Sequence, residues 1–395
     1  MILDFKEYMK VCYEHLLSTQ SDQQVYYQKV DNLELERAKN KIKHVLEEAL
    51  NNKIITDEEF NAMDPEDKTT SKFYCNFKIH KQHAPMTAPP PRPIISGSGS
   101  ITENLGVFVE NQIREISTQH STYLLDTPHF LRVVQKINKG PRLPLNAMLV
   151  TSDIIGAYQN IPQEDGIDCL FEVLEERKNK EVPSEFISKL MELIQPCNLF
   201  EFNQDLWKQI IGVAMGIHPA PSYANIYLGR RIDEQIRVLG LKYGKDGKSA
   251  WLILKHFLDD IFKIFIGTTK EPHELFQDMN KIHPTLKFTL NHTTPQGEAA
   301  SDRCECKYQE SIQFLDTSLS IEDGRIEVDL YKKDTDRNQY LLRESCHPSG
   351  VTASIPFSLS LRIIRICTKN ENRDKRLSEL KQVLTAKGYP EQLIE

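Results

Sequence analysis

KHFLDDIFKIF, Lys255 to Phe265, places two adjacent carboxylates, Asp259 and Asp260, inside an otherwise apolar run. Two readings are open on this stretch alone. An Asp-Asp pair between short apolar runs marks the turn of a β-hairpin, because Asp tolerates turn conformations that β-branched residues do not. The same pair at the end of a hydrophobic hairpin cannot keep both charges cheaply unless a cation lies over them. The rest of the sequence decides between a plain turn and a metal site.

Upstream, AMLVTSD (Ala147 to Asp153) is an apolar run of buried-strand length that ends on an acid. If this strand and the hairpin are neighbours in one antiparallel sheet, Asp153, Asp259 and Asp260 converge at one place. Three converging carboxylates suit two divalent cations, which in phosphoryl transfer sit roughly 3.5–4 Å apart and stabilise the attacking and leaving oxygens. Mg²⁺ fits, because it is held by few carboxylates and fills its shell with substrate phosphates and water.

Between and around these acids the pattern alternates. Residues 1 to about 72 read as charged and helical, with Leu33, Leu35, Ala38, Ile42, Val45 and Leu46 at helical spacing and Thr56 as the cap of a following helix. The prolines of APMTAPPPRP forbid helix and predict an extended segment. The glycines of IISGSGSITENL match neither GxGxxG nor a GK[ST] ending, so a nucleotide P-loop is not expected. EVPSEFISKLMELIQ has helical periodicity, and LFEFNQDLWKQIIGVAMGIHPAP reads as a strand pair running into a Gly- and Pro-marked loop. SYANIYLGRRIDEQIRVLG predicts a core-facing helix with Ser222 as its cap and Ala224, Leu228, Ile232, Ile236 and Leu239 along one face.

Composition bounds the class. With 395 residues, 39% hydrophobic and 27% charged, the chain is expected to be a soluble intracellular protein of two or three subdomains, with no apolar run long enough to cross a membrane. A net charge of −7 argues against nonspecific coating of nucleic acid. Local balance differs: residues 73–100 hold Lys78, Lys81 and Arg92 with no acid, and residues 351–395 hold eight Lys/Arg against five Asp/Glu. Two separated basic regions can grip a polyanion. The eight cysteines lack a framework spacing and read as reduced thiols. Cys304 and Cys306 could join His283 and His292 in a zinc site, but CxC with irregular histidines is not the CxxC spacing of structural zinc, so no zinc is expected.

TSDIIGAYQNIP (151–162), GVAMGIHPAPSYANIYLG (212–229), HFLDDIF (256–262), FLDTSLSIEDGRIEVDLYKK (314–333) and SCHPSGVTASIPFSLSLRIIRIC (345–367) occur in this order. Together they resemble the reverse transcriptase domain, and within it the Penelope-like retroelement group. FYCNFKIHKQ (73–82) followed by PRPIISGSGSITENL (91–105) is similar to that group's fingers motif, with Asn76-Phe77 where the family usually has Leu-Pro. The resemblance spans about residues 25–395.

Carried over residue by residue, the resemblance implies Asp153, Asp259 and Asp260 as catalytic metal ligands, with Phe257 replacing the tyrosine of the usual tyrosine-x-Asp-Asp box beside the primer end. It makes Tyr158 the steric gate against a ribose 2′-OH, and Lys78 and Arg92 the clamp on the incoming triphosphate. Met215 and Gly216 correspond to the loop under the nascent base pair, and Lys287 to a group near the leaving pyrophosphate. Arg362 and Arg365 fall in the thumb-like segment near the duplex backbone. The implied fold is an α/β (α+β) polymerase right hand: an N-terminal helical extension over 1–72, fingers over 73–150, an antiparallel-sheet palm over 151–345 with a helical insertion at about 163–210, and a helical thumb over 346–395.

The implied activity is RNA-directed DNA synthesis from a primer on an RNA or DNA template, with dNTPs and two Mg²⁺ ions, for which Mn²⁺ can substitute. The rivals are an RNA-templated RNA polymerase, which Tyr158 argues against, and a domesticated nucleic-acid-binding protein without catalysis, which the intact acids argue against. Family members commonly carry a GIY-YIG endonuclease after the polymerase; no GIY…YIG pair occurs here, so priming from a separate endonuclease's nick or a free 3′ end is expected. Nuclear location is implied by the resemblance alone.

Overall fold

A computed structural model describes residues 4–19, 25–78, 89–244, 249–281, 283–295, 304–307, 309–333 and 336–394. The chain forms two compact units, one of Met1–Tyr123, Ile154–Ile236 and Asn280–Lys287, the other of Leu124–Asp153, Arg237–Met279 and Phe288–Glu395. No described helix is long and apolar enough to cross a membrane.

In chain order the strands are β1 (Tyr27–Val30), β2 (Ser71–Phe77), β3 (Pro91–Ser96), β4 (Ala147–Ile155), β5 (Leu199–Phe202), β6 (Asp205–Gln209), β7 (Trp251–Phe257), β8 (Asp260–Ile266), β9 (Lys287–Phe288), β10 (Asn291–His292), β11 (Ser311–Phe314), β12 (Thr317–Glu322) and β13 (Arg325–Leu330).

The first unit is built on the sheet β1-β6-β5-β2-β3. β2 alternates buried and exposed residues, with Ser71, Phe73 and Cys75 inward, which is the pattern of a sheet covered on one face. Phe73, Phe200 and Phe202 pack ring against ring beneath it. The expected strand pair is present as β5 and β6, joined by the two-residue turn Asn203-Gln204. Thr56 caps the helix Asp57–Met63, with its side chain on the Glu59 amide and the Glu59 carboxylate back on the Thr56 amide. Such a box contributes about 1 kcal/mol.

Two local expectations are corrected. The stretch 1–72 is not helical throughout, because Tyr27–Val30 forms β1 and pairs with β6, residue for residue from Tyr27↔Gln209 to Val30↔Leu206. Ser222 is not a helix cap: the helix begins at Ala220 with Pro219 at its cap position, and the Ser222 hydroxyl donates instead to the buried Glu110 carboxylate at 3.0 Å. Beyond Tyr227 the helix widens into a π-turn over Leu228–Ile232 before resuming at Asp233. Ala224, Leu228, Ile232 and Ile236 are buried as expected.

The second unit carries the sheet β10-β4-β8-β7, with β9 also on β4, and a separate three-stranded meander β11-β12-β13. β4 and β8 are apolar almost without interruption because both of their faces are covered. On one face Leu149, Phe262 and Ile264 join a core with Phe130 and Val134 of the helix Thr127–Lys139, Phe314, Leu319 and Val328 of the meander, and Ile363 and Leu384 of the C-terminal helices. Burying each of these side chains contributes roughly 1.5–3 kcal/mol. On the other face Phe265 meets Trp251 edge-on at 5.2 Å, and the fully buried Lys263 ammonium donates to Ser152 Oγ at 2.9 Å and lies 5.0 Å from the Trp251 ring centre.

Candidate active site

The hairpin of β7 and β8 turns through two residues, Leu258 and Asp259, and closes with Phe257 opposite Asp260. Leu258 takes the left-handed conformation, φ 52°, which costs a side-chain-bearing residue about 1–2 kcal/mol. That tight turn puts Asp259 at the tip and Asp260 as the first residue of β8. β4 runs antiparallel to β8 in a register that sets Asp153 directly opposite Asp260. Phe257, Asp260 and Asp153 therefore lie side by side across three strands.

The backbone around Asp153 is held from the other side. Its amide donates to Thr289 Oγ1 and its carbonyl accepts from the Thr289 amide, both at 2.9 Å. Directly opposed residues in a sheet have Cβ atoms about 4.5–5.5 Å apart, which is close for two carboxylates. Burial, then the charges of Asp259 and Asp153, push the Asp260 carboxyl up to about 7. Like charges this close are what a divalent cation relieves, and the donor set is all carboxylate oxygen, so the residues present fit Mg²⁺.

The remaining candidates fall into separate places. Lys78 and Arg92 belong to the first unit: Asn76 pairs with Arg92, and the Lys78 amide continues the ladder to Pro90 O at 2.9 Å. Side chains alternate along a strand, so Lys78 and Arg92 share the exposed face of the β2–β3 hairpin. Lys81, which adds to the basic balance of this region, lies outside the described residues.

Tyr158 sits in the one-turn helix Ala157–Asn160 of the same unit, and its carbonyl accepts from the Val213 amide at 2.7 Å. From there the chain runs to Met215, whose carbonyl accepts from Ile95 of β3 at 2.8 Å. Gly216 has φ 117°, and a Cβ there would stand 2.4 Å from the Ile95 carbonyl oxygen. The close backbone approach this glycine permits is thus to β3 itself. Tyr158, Met215 and Gly216 form one connected group ending on the strand that carries Arg92.

Three assignments look different in three dimensions. The Lys287 ammonium donates to the backbone carbonyls of Asn280 and His283 at 3.0 and 3.4 Å, which is how a lysine closes the end of a local turn. Arg362 is ion-paired to Asp316, with Nη2 at 2.7 Å and Nε at 3.0 Å from one carboxylate oxygen, whereas Arg365 is exposed on the same helix. His283 does not join Cys304 and Cys306. Its Nε2 meets the Tyr227 hydroxyl at 3.0 Å, and His273, which the spacing did not single out, stands with His292 and the two thiols instead.

The fold is similar to that of telomerase from Candida albicans in complex with the TWJ fragment of telomeric RNA, with a TM-score of 0.53 at 10% identity over 84% of this chain and 56% of that one. Apo telomerase from Candida tropicalis superposes with a TM-score of 0.49 at 13% identity, covering 81% of this chain and 57% of that one. The BmCPV RNA-dependent RNA polymerase at the elongation state gives 0.46 at 12% identity, covering 98% and 31%. The chain spans little more than half the length of the telomerases it matches. The family model of the animal helix-turn-helix domain matches residues 339–395, which hold the helices Ser349–Ile366 and Asn370–Ala386. No curated protein matches the sequence. The likeness to the Candida albicans enzyme shows a shared fold, a mixed α/β structure with antiparallel sheets.

Proposed function

We propose that this protein is an RNA-directed DNA polymerase of right-hand architecture that adds dNMP to a primer 3′-OH. The observation that carries the reading is the β4–β8 register, which sets Asp153 opposite Asp260 with Asp259 in the adjoining turn. An accidental acid pair on a hairpin has no reason to face a third acid across the next strand.

In this reading Asp153, Asp259 and Asp260 hold Mg²⁺, which supplies charge stabilisation to the attacking 3′ oxygen and the leaving pyrophosphate. Lys78 and Arg92 neutralise the triphosphate from the exposed face of their hairpin, and Arg92 can meet it with two parallel N–H bonds. The Tyr158 ring takes the space of a 2′-OH, so dNTPs are preferred. Phe257, beside Asp260, keeps the ring of the usual tyrosine without its hydroxyl and touches the primer end. The helical pair from Ser349 to Ala386 acts as the thumb, with Arg365 on the duplex backbone. Origin in a Penelope-like retroelement and action in the nucleus rest on the sequence resemblance.

Primer extension on an RNA template with dNTPs or with NTPs, for the wild-type chain and Asp259→Asn, tests the reading. DNA synthesis that Asp259→Asn abolishes, with primer–template binding kept within a few-fold, is expected. A preference for NTPs identifies an RNA polymerase, and binding without any synthesis identifies a nucleic-acid-binding protein; either result overturns the proposal.

A further inference from the structure

A second group of donors lies in the same unit as the three acids and differs from them in chemistry. His273 comes from the helix Lys270–Met279, His292 from β10, and Cys304 and Cys306 from the segment leading towards β11. One donor atom from each of the four lies within 4.8 Å of all the others. The two histidine Nε2 atoms are 3.1 Å apart, Cys306 Sγ is 3.3 Å from His273 Nε2, and Cys304 Sγ is 3.5 Å from His292 Nε2. A tetrahedron with metal–ligand bonds of about 2.0–2.3 Å has edges of roughly 3.3–3.8 Å. The donors thus already stand near the corners of such a figure. The cysteines are free thiols.

Their surroundings orient them. His292 Nδ1 lies 3.0 Å from the Thr293 carbonyl, a contact that places the ring proton on Nδ1 and leaves the Nε2 lone pair turned to the other three donors. The Cys304 amide donates to Thr269 Oγ1 at 2.8 Å, next to the start of the helix bearing His273. Thr293 exchanges two bonds with Leu149 of β4, amide to carbonyl at 2.9 Å and Leu149 amide to Oγ1 at 3.0 Å. His292 is buried, His273 and Cys304 are half-buried and Cys306 is exposed, so the group runs from the interior to the surface.

We propose that His273, His292, Cys304 and Cys306 bind one zinc ion as a closed structural site. Two thiolates and two neutral imidazoles balance the ion's charge, which suits a half-buried position. Binding releases the two thiol protons and involves no change of oxidation state. Mg²⁺ does not compete, because it takes oxygen donors in octahedral geometry. The ion would tie the 304–306 segment and the helix Lys270–Met279 to β10, and β10 is hydrogen-bonded to β4 through His292↔Val150. Zinc here would hold the strand that carries Asp153.

The test uses the full chain purified without chelator. About one zinc per chain is expected by elemental analysis, falling below about a fifth in Cys304→Ser/Cys306→Ser and staying unchanged in His283→Ala. Exchange with Co²⁺ should give a tetrahedral visible spectrum with thiolate charge-transfer absorbance, about halved in Cys306→Ser. If the substituted chains do not fold, titrating wild-type thiols with an organomercurial in the presence of a zinc-sensitive dye gives a second reading. Zinc released in step with two thiols supports the site. Zinc content indifferent to both cysteines, a Co²⁺ spectrum without charge transfer, or thiol titration that frees no zinc overturns it.

Discussion

Replacing Asp260 with Asn should stabilise the fold while abolishing synthesis. In the wild-type chain without added divalent cation, Asp260 is half-buried beside two other acids, and its carboxyl is raised from 3.8 to about 7, first by burial and then by Asp259 and Asp153. At about 1.36 kcal/mol per pH unit this rise corresponds to about 4 kcal/mol against the ionised native state. Asp153 and Asp259 are exposed, so water screens their part, and about 1–2 kcal/mol is the expected net gain from Asn at pH 8. The sign follows from proton linkage: the folded carboxyl holds its proton more tightly than the unfolded one, so native stability falls as pH rises from about 4 to about 7. The benefit of Asn is therefore full above pH 7 and less than half as large at pH 5. Urea unfolding of both chains at pH 5 and pH 8 measures it, and primer extension with Mg²⁺ reads the activity. An Asn chain no more stable than wild type at pH 8, or one with the same gain at both pH values, would refute the crowding of charges at this corner; continued extension would refute the metal assignment.

Other substitutions probe the first unit. Tyr158→Val should raise ribonucleotide incorporation relative to deoxynucleotide by tenfold or more in single-nucleotide extension, and unchanged discrimination would return Tyr158 to a packing role. Arg92→Ala should raise the KM for dNTP roughly tenfold with little change in primer–template affinity, as expected when one charge-assisted pair to phosphate is removed. Gly216→Ala should cost about 2–3 kcal/mol in urea unfolding, because φ 117° is strained for alanine and its Cβ would press on the Ile95 carbonyl. Stability within about 0.5 kcal/mol of wild type would mean that residues 215–216 do not lie against β3 in solution.

The corner of three acids was legible because each part is written locally. AMLVTSD and HFLDDIFKIF are continuous apolar runs, and an acid at the end of such a run has few explanations. Only the register linking them is a property of the fold, and that register brings Asp153 to Asp260. The Thr56 box was legible for the same reason, since cap and partner lie three residues apart. β1 was not: YQKV is only four residues long with Gln and Lys inside it, and its ladder partner β6 lies about 180 residues away. Ser222 misled because a helix cap and a buried partner for Glu110 call for the same residue type.

His273 escaped for a deeper reason. In PHELFQ it looks like any polar residue of a surface helix, and nothing local ties it to CEC more than thirty residues later. His283, nearer in sequence, was the more natural candidate, yet the fold turns it to Tyr227. β4 connects the two groups. His292 pairs with it at Val150, three residues and roughly 10 Å along the strand from Asp153. On the two proposals together, hard oxygen donors at the Asp153–Asp260 corner and soft sulfur and nitrogen donors on the flank of β4 would sort two kinds of cation without competition. If the acids hold Mg²⁺ as proposed, a zinc ion on the flank would fix the edge of the sheet on which those ligands stand, and catalysis by positioned charge depends on such preorganisation.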